Sequence, residues 1–331
     1  MSGAAKVTRP CCTDAQRWPL GPQLHLLLRR RLLWVATLAI ATLWVGSVSA
    51  GPGATSVATI DYTRDWIVQP TVARALIDAG ALVIDARGKD WQRWQGGLVH
   101  AAPAAWQDLS QPELRVRGML LEDDVAVTRK LQALGVSRDR SIVVVGDPLS
   151  GWGEDGRIAW TLRTLGHPKV VMVDGGLPAL RKLGELRILP PRIPGDFVVN
   201  RTPQWDVRKE EVKARIARPD TVILDVREQR EYDGKTPYGE SRGGHIPGAK
   251  SLWFKELIGK DGALLARAQI ESLLAANGIT RDTEVIAYCS GGIRSAWFTA
   301  LLNDLGYKGR NYSGSMWEWS ALPATEYPLV R

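Results

Sequence analysis

At 331 residues, with 45% hydrophobic and 24% charged side chains, the chain has the composition of a folded protein and enough length for two domains with their own cores. The formal charge of +8 misleads: residues 1–50 hold six of the 43 basic and one of the 35 acidic residues, leaving 37 against 34 beyond them. A near-balanced remainder, with no basic stripe interleaved with aromatics, argues against nucleic acid as a partner.

Within the first fifty residues Arg29-Arg30-Arg31 precedes an apolar run from Leu32 to Val45, followed by the small residues Gly46-Ser47-Val48-Ser49-Ala50. This reads as an export leader over residues 1–50, with cleavage after the small residues. The run is short of the roughly 20 residues a bilayer span needs, although an uncleaved anchor reaching Ala50 is an alternative. In a bacterium the expected location is the periplasm, without stable membrane insertion once the leader is removed. Cys11 and Cys12 leave with it, so Cys289 remains the single thiol of the mature chain.

From residue 57 the pattern alternates between strand and helix. Thr71 to Ala79 and Asp124 to Leu134 have helical spacing, while Leu82-Val83-Ile84-Asp85-Ala86-Arg87 and Ser141 to Val145 read as strands. After Val145 comes Gly146-Asp147-Pro148-Leu149-Ser150-Gly151-Trp152-Gly153, which reads as a surface loop. From Leu183 to Pro203 the prolines 190, 191, 194 and 203 mark an ordered linker. The pattern then starts again. Val222-Ile223-Leu224-Asp225-Val226-Arg227 repeats the Asp85 strand 140 residues on, and Leu302 to Gly306 repeats Leu162 to Gly166 at the same offset. The expected organisation is a duplicated α/β domain, residues 57–182 and 204–331, each a mostly parallel sheet covered by helices on both faces.

The copies differ where the second has Tyr288-Cys289-Ser290-Gly291-Gly292-Ile293-Arg294-Ser295. A strand (Val285 to Tyr288) runs into a loop and then an amphipathic helix stopped at Gly306. Cys289 therefore sits at the carboxyl end of a strand, beside the N–H groups of a helix start, where a thiol ionises readily. Gly291 and Gly292 let successive backbone N–H groups converge on one point, and Arg294 adds a permanent charge near the rim. In the first copy Asp147 or Leu149 is expected opposite Cys289, and no cysteine lies between residues 51 and 288. The first copy therefore has no thiol to ionise at that place.

Four residues separate Cys289 from Arg294, one fewer than the cysteine phosphatase loop, which gives a cradle tighter than a phosphoryl group requires. Together with Asp225-Val226-Arg227, Gly243-Gly244-His245-Ile246-Pro247-Gly248-Ala249 and Tyr312-Ser313-Gly314-Ser315-Met316-Trp317, in that order, the loop resembles the active site of the rhodanese family. The chain is similar to its two-domain sulfurtransferases, with an inert amino-terminal half. The resemblance implies two tandem rhodanese-like domains with five-stranded sheets and an enzyme without a cofactor. Cys289 would be the nucleophile, and Ser290, Gly291, Gly292, Ile293, Arg294 and Ser295 would hold its persulfide. The expected partners are a small-molecule donor, thiosulfate ahead of 3-mercaptopyruvate, with cyanide, a thiol or a sulfur-accepting protein as acceptor. Two-domain members carry an arginine immediately before the aromatic that ends the Asp-x-Arg segment. Here that position is Glu231, with Arg230 beside it.

Asp225 and Arg227 are expected to organise their strand end, with Arg230 either a further supporting residue or a solvent-facing one. Ser290 is expected to act through its backbone. Ser295 is a helix-start residue whose hydroxyl can reach the sulfur, and His245, before a Pro-Gly turn, reads as structural. Trp91, Trp94, Trp253, Trp317 and Trp319 are expected to anchor the core or the domain interface. The scattered histidines offer no metal-ligand spacing.

Overall fold

The structure, a computed structural model, describes residues 59–88 and 96–331. The leader, Trp91 and Trp94 lie outside these residues. Within Thr55–Arg331, one compact unit, two parallel five-stranded sheets share a single strand order. In the first copy the strands are β1 (Ile67–Val68), β2 (Leu82–Asp85), β3 (Ala102–Pro103), β4 (Ile142–Val145) and β5 (Val170–Val173), arranged β1-β5-β4-β2-β3. In the second, β6 (Asp206–Val207), β7 (Thr221–Asp225), β8 (Lys250–Ser251), β9 (Glu284–Tyr288) and β10 (Lys308–Tyr312) follow β6-β10-β9-β7-β8. The strand ending at Asp225 is thus the second of its copy; a two-residue edge strand precedes it. Ile142-Val143-Val144-Val145, buried at every position, is a β-branched run of the kind central parallel strands require.

Among the described residues the helices of the first copy are α1 (Pro70–Asp78), α2 (Asp124–Ala133), α3 (Glu154–Thr164) and α4 (Gly176–Arg181). Those of the second are α5 (Lys209–Arg215), α6 (Gln229–Tyr232), α7 (Arg267–Ala276), α8 (Ile293–Asp304) and α9 (Ser315–Trp319). Pro70 opens α1 at the position where a missing N–H costs nothing. The Asp123 carboxylate caps α2 by accepting the N–H groups of Val125 and Ala126, each at 3.0 Å. Among the described residues no helix is long and apolar enough to cross a membrane.

α8 departs from the sequence reading. Its pattern predicts one buried face, yet every residue from Ile293 to Leu302 is buried, as is every residue of α3 from Asp155 to Thr164. The reason is that α3 and α8 pack on each other between the two sheets. Gly153 and Gly156 make this possible: a Cβ on Gly156 would stand 2.4 Å from Cα of Trp297, and one on Gly153 would stand 2.8 Å from its Cβ. One apolar core consequently runs through both copies, with Trp160, Leu162, Ala296, Trp297 and Phe298 among its members. The segment predicted as a linker lies on the first copy, where Gly195 and Phe197 donate N–H groups to the carbonyls of Gln132 and Val136.

Candidate active site

β9 ends at Tyr288 in the middle of its sheet, and the chain turns through Cys289 to Gly292 into α8. Gly292 is the N-cap, with φ +77°, the left-handed region that glycine enters without a Cβ penalty. That turn points the Gly292 N–H at Sγ of Cys289, 3.1 Å away, and the Ser295 hydroxyl donates to the same sulfur from 3.5 Å. The far side of the loop is fixed by α9. The Ser315 hydroxyl accepts the Cys289 N–H at 3.0 Å, while the N–H groups of Met316 and Trp317 donate to the carbonyls of Cys289 and Ser290.

Cys289 is 1% exposed. Burial by itself pushes a thiol's proton affinity up. The Arg294 guanidinium, the Ser295 hydroxyl and the amides of Ser295 and Gly291 more than offset it, leaving the thiol below its ordinary range. Among the described residues Cys289 is the one free cysteine.

Arg294 does not sit at the rim as a free charge. It is 3% exposed, and Glu231, fully buried, takes it in a bidentate pair: Nη1 to Oε2 at 2.7 Å and Nη2 to Oε1 at 2.8 Å. Burial would raise the Glu231 carboxyl, but the hydrogen bonds and charge of Arg294 hold it below the usual range. The guanidinium also lies over the rings of Trp152 and Tyr238, 5.4 and 5.5 Å from their centroids.

Ser290 departs from expectation as well, because its side chain is buried and fully engaged. The hydroxyl stands 2.9 Å from Glu231 Oε1 and 2.7 Å from Glu240 Oε1, and accepts from Arg294 Nη2 at 2.8 Å. With one hydrogen, it can donate to only one of the two carboxylates at a time.

Asp225 and Arg227 form a buried bidentate pair at the end of β7, and Arg227 Nη2 reaches the Gly244 carbonyl at 2.8 Å. They tie the neighbouring loop to the strand and do not line the cavity. Arg230 faces solvent at the edge of the site: its side chain is 56% exposed, pairs with Glu228 at 2.5 Å and places Nη2 3.4 Å from the Tyr238 hydroxyl. As an exposed residue of α6 it turns outward while Glu231, next in sequence, turns in. His245 stacks on Tyr232 with ring centroids 3.6 Å apart. Trp319 is a fully buried core residue, whereas Trp317 lines the cavity above Cys289.

The first copy contributes more to this site than its lack of a cysteine suggests. β2 and β4 align Asp85 with Val145 as β7 and β9 align Asp225 with Tyr288. That register sets Gly146 opposite Cys289, in place of the expected Asp147 or Leu149, and the Leu177 N–H donates to the Gly146 carbonyl as Met316 does to Cys289. A Cβ on Gly146 would meet the Asp155 carboxyl carbon at 2.7 Å, so the thiol's place is taken by a buried carboxyl. Burial pushes that carboxyl up to about 7. The longer loop that follows is no inert surface segment, since it carries Trp152 to the cavity and Gly153 to the packing face of α8.

Arg157 of α3 is fully buried and crosses to the second copy. Its Nη1 donates to the Gly292 carbonyl at 3.1 Å, and its Nη2 to the Gly118 carbonyl at 2.6 Å and the Ser110 hydroxyl at 3.0 Å. Its Nε finds no partner, and burial pushes the guanidinium down to about 10, with Asp206 and the Cys289 sulfur acting in the opposite direction. Nothing in the local sequence around Arg157 marked it, because its partners are carbonyls and hydroxyls distant in the chain. A cavity of about 280 Å³ opens above Cys289, with Trp106, Trp152 and Glu154 contributed by the first copy and Tyr238, Arg294 and Trp317 by the second. This arrangement can present an ionised sulfur to a small molecule and stabilise charge on an atom attached to it.

Residues 208–322 match the model of the rhodanese-like domain. A thiosulfate sulfurtransferase of Pseudomonas aeruginosa is 31% identical over 58% of this chain and 71% of its own length. A probable 3-mercaptopyruvate sulfurtransferase of the same organism is 30% identical over 61% and 72%. The sulfur carrier protein TtuD of Thermus thermophilus is 28% identical over 79% of this chain and 92% of its own length. Among solved structures, wild-type EanB superposes with a TM-score of 0.68 at 20% identity, over 82% of this chain and 70% of that one, a likeness of fold.

Proposed function

This chain belongs to the rhodanese family of sulfurtransferases, and we propose from that premise that it is an exported enzyme moving a sulfane sulfur from an anionic donor, with thiosulfate as the leading donor, through a persulfide on Cys289. The observation that carries this reading is the sulfur of Cys289, held below its ordinary proton affinity and facing the Gly292 N–H and the Ser295 hydroxyl. The thiolate attacks the outer sulfur of thiosulfate. A new S–S bond forms to Cys289, the bond to the sulfonate sulfur breaks, and sulfite leaves with the electron pair. Cyanide or a thiol then takes the outer sulfur, and Cys289 departs as thiolate. The loop amides and the start of α8 stabilise charge on the transferred sulfur, as an oxyanion hole does for oxygen. They also provide the polarity an anionic donor meets, because the Arg294 charge is already shared with Glu231.

Thiosulfate stands ahead of 3-mercaptopyruvate because an export leader places the chain away from a cytoplasmic metabolite; relatives bear both names. Mass spectrometry tests the chemistry directly. Incubation with thiosulfate is expected to add one sulfur, ~32 Da, to the Cys289 peptide, and cyanide is expected to remove it as thiocyanate. Cys289→Ser abolishes both. The reading fails if the wild-type peptide gains no mass with either donor. A second reading, a persulfide carrier serving a partner protein, is favoured by the similarity to TtuD over 92% of that protein. It prevails if the adduct forms and cyanide cannot discharge it. Export is tested by fractionation and by sequencing the mature N-terminus, expected near residue 51.

A further inference from the structure

The cavity above Cys289 has about 280 Å³ of room, far more than a cyanide ion or one extra sulfur atom occupies and close to the lower end of small-molecule pockets, ~300 Å³. Its walls are mainly indole and phenol rings. Trp106 stacks on Trp317 with centroids 6.2 Å apart, and Trp152 meets Tyr238 edge-on at 5.4 Å, so each pair spans the two copies. Several polar groups on these walls are already engaged with one another, while the Gln107 side chain stands exposed at the edge. Trp317 Nε1 donates to the Tyr238 carbonyl at 2.9 Å, Arg294 is held by Glu231, and Glu154 Oε2 accepts the Trp152 N–H at 2.7 Å. What the walls offer a newcomer is aromatic surface around a sulfur. The loop amides around the sulfur serve the small anionic donor, and beyond them a flat apolar body replaces water against the rings.

We infer that the acceptor for the Cys289 persulfide is a low-molecular-weight thiol carried on a flat, apolar body that seats against Trp106 and Trp317. The inference rests on the persulfide reading above. In the transfer, the acceptor thiolate bonds to the outer sulfur and the S–S bond to Cys289 breaks. The electron pair returns to Cys289 as thiolate, and the acceptor's thiol proton has passed to solvent.

Two thiols of similar acidity test it: phenylmethanethiol, which carries a ring, and 2-sulfanylethanol, which does not. With enzyme loaded from thiosulfate, kcat/KM for discharge is expected to be at least tenfold higher for phenylmethanethiol, and Trp106→Ala is expected to collapse that ratio to within about threefold. Equal discharge by the two thiols, a ratio indifferent to Trp106→Ala, or discharge by a protein thiol alone overturns the proposal. If no persulfide forms, the functional reading fails first, and the pocket is then tested without it. Phenylmethanol is expected to slow alkylation of Cys289 by iodoacetamide at a concentration at least tenfold below that required of propan-1-ol, and equal protection overturns the inference.

Discussion

The surroundings of Cys289 lower its proton affinity against the pull of its own burial, and that balance has a measurable pH signature. A thiol whose proton affinity is lower in the folded chain than in the unfolded one adds stability that is complete above the unfolded value. This contribution disappears as pH falls through the folded value. Urea denaturation of the wild type should therefore show stability falling with acidity across that window, and Cys289→Ser should lack this slope. The rate of alkylation by iodoacetamide should titrate with a midpoint below that of an ordinary thiol. Glu231 is the second control point. Glu231→Gln leaves the Arg294 guanidinium buried without its carboxylate, and removal of one partner of a buried pair costs about 3–5 kcal/mol, readable as a fall in the urea midpoint. The same change removes the carboxylate that shares the Arg294 charge with Cys289, so the alkylation midpoint is expected to fall further.

At the scale of elements, the site is a strand end and a helix start held together by a neighbour from the other copy. α3 approaches α8 so closely that Gly156→Ala places a methyl group against the Trp297 backbone. Overpacking of this kind costs about 1–3 kcal/mol, to be read as a lowered melting temperature. Arg157 works across the same seam: it holds the carbonyl of the residue whose N–H faces the sulfur, and brings a buried positive charge to the loop. Arg157→Met removes the charge while keeping most of the bulk. Alkylation of Cys289 at pH 7 is expected to slow several-fold with its midpoint raised, and Arg157→Lys is expected to recover part of the loss. An unchanged midpoint in a folded Arg157→Met variant would reduce Arg157 to a packing role.

At the scale of the whole molecule, the core shared by both copies explains why a copy without a cysteine accompanies the one that carries Cys289. Residues 204–331 expressed alone would expose the face of α8 that α3 covers and lose Arg157, Trp106 and Trp152. That fragment is expected to aggregate or to bind a hydrophobic dye, and size-exclusion chromatography with dye fluorescence checks it. Much of the architecture was legible in the chain itself. Alternating β-branched and helical runs specify α/β layers, a 140-residue offset specifies duplication, and a strand, two glycines and a helix start specify where Cys289 sits. The layers and the Cys289 turn are short-range properties, set by backbone sterics and by side-chain periodicity within a few residues, and the duplication is read by comparing two such local patterns. The partners of that loop are of another kind. Glu231 is 63 residues from Arg294 and Arg157 is 135 from Gly292. Whether Arg294 is free or paired, whether Arg230 or Glu231 turns inward, and which rings enclose the sulfur depend on how two sheets and their intervening helices pack. Such contacts form only when distant segments meet, so folding in three dimensions decided them where local pattern could not.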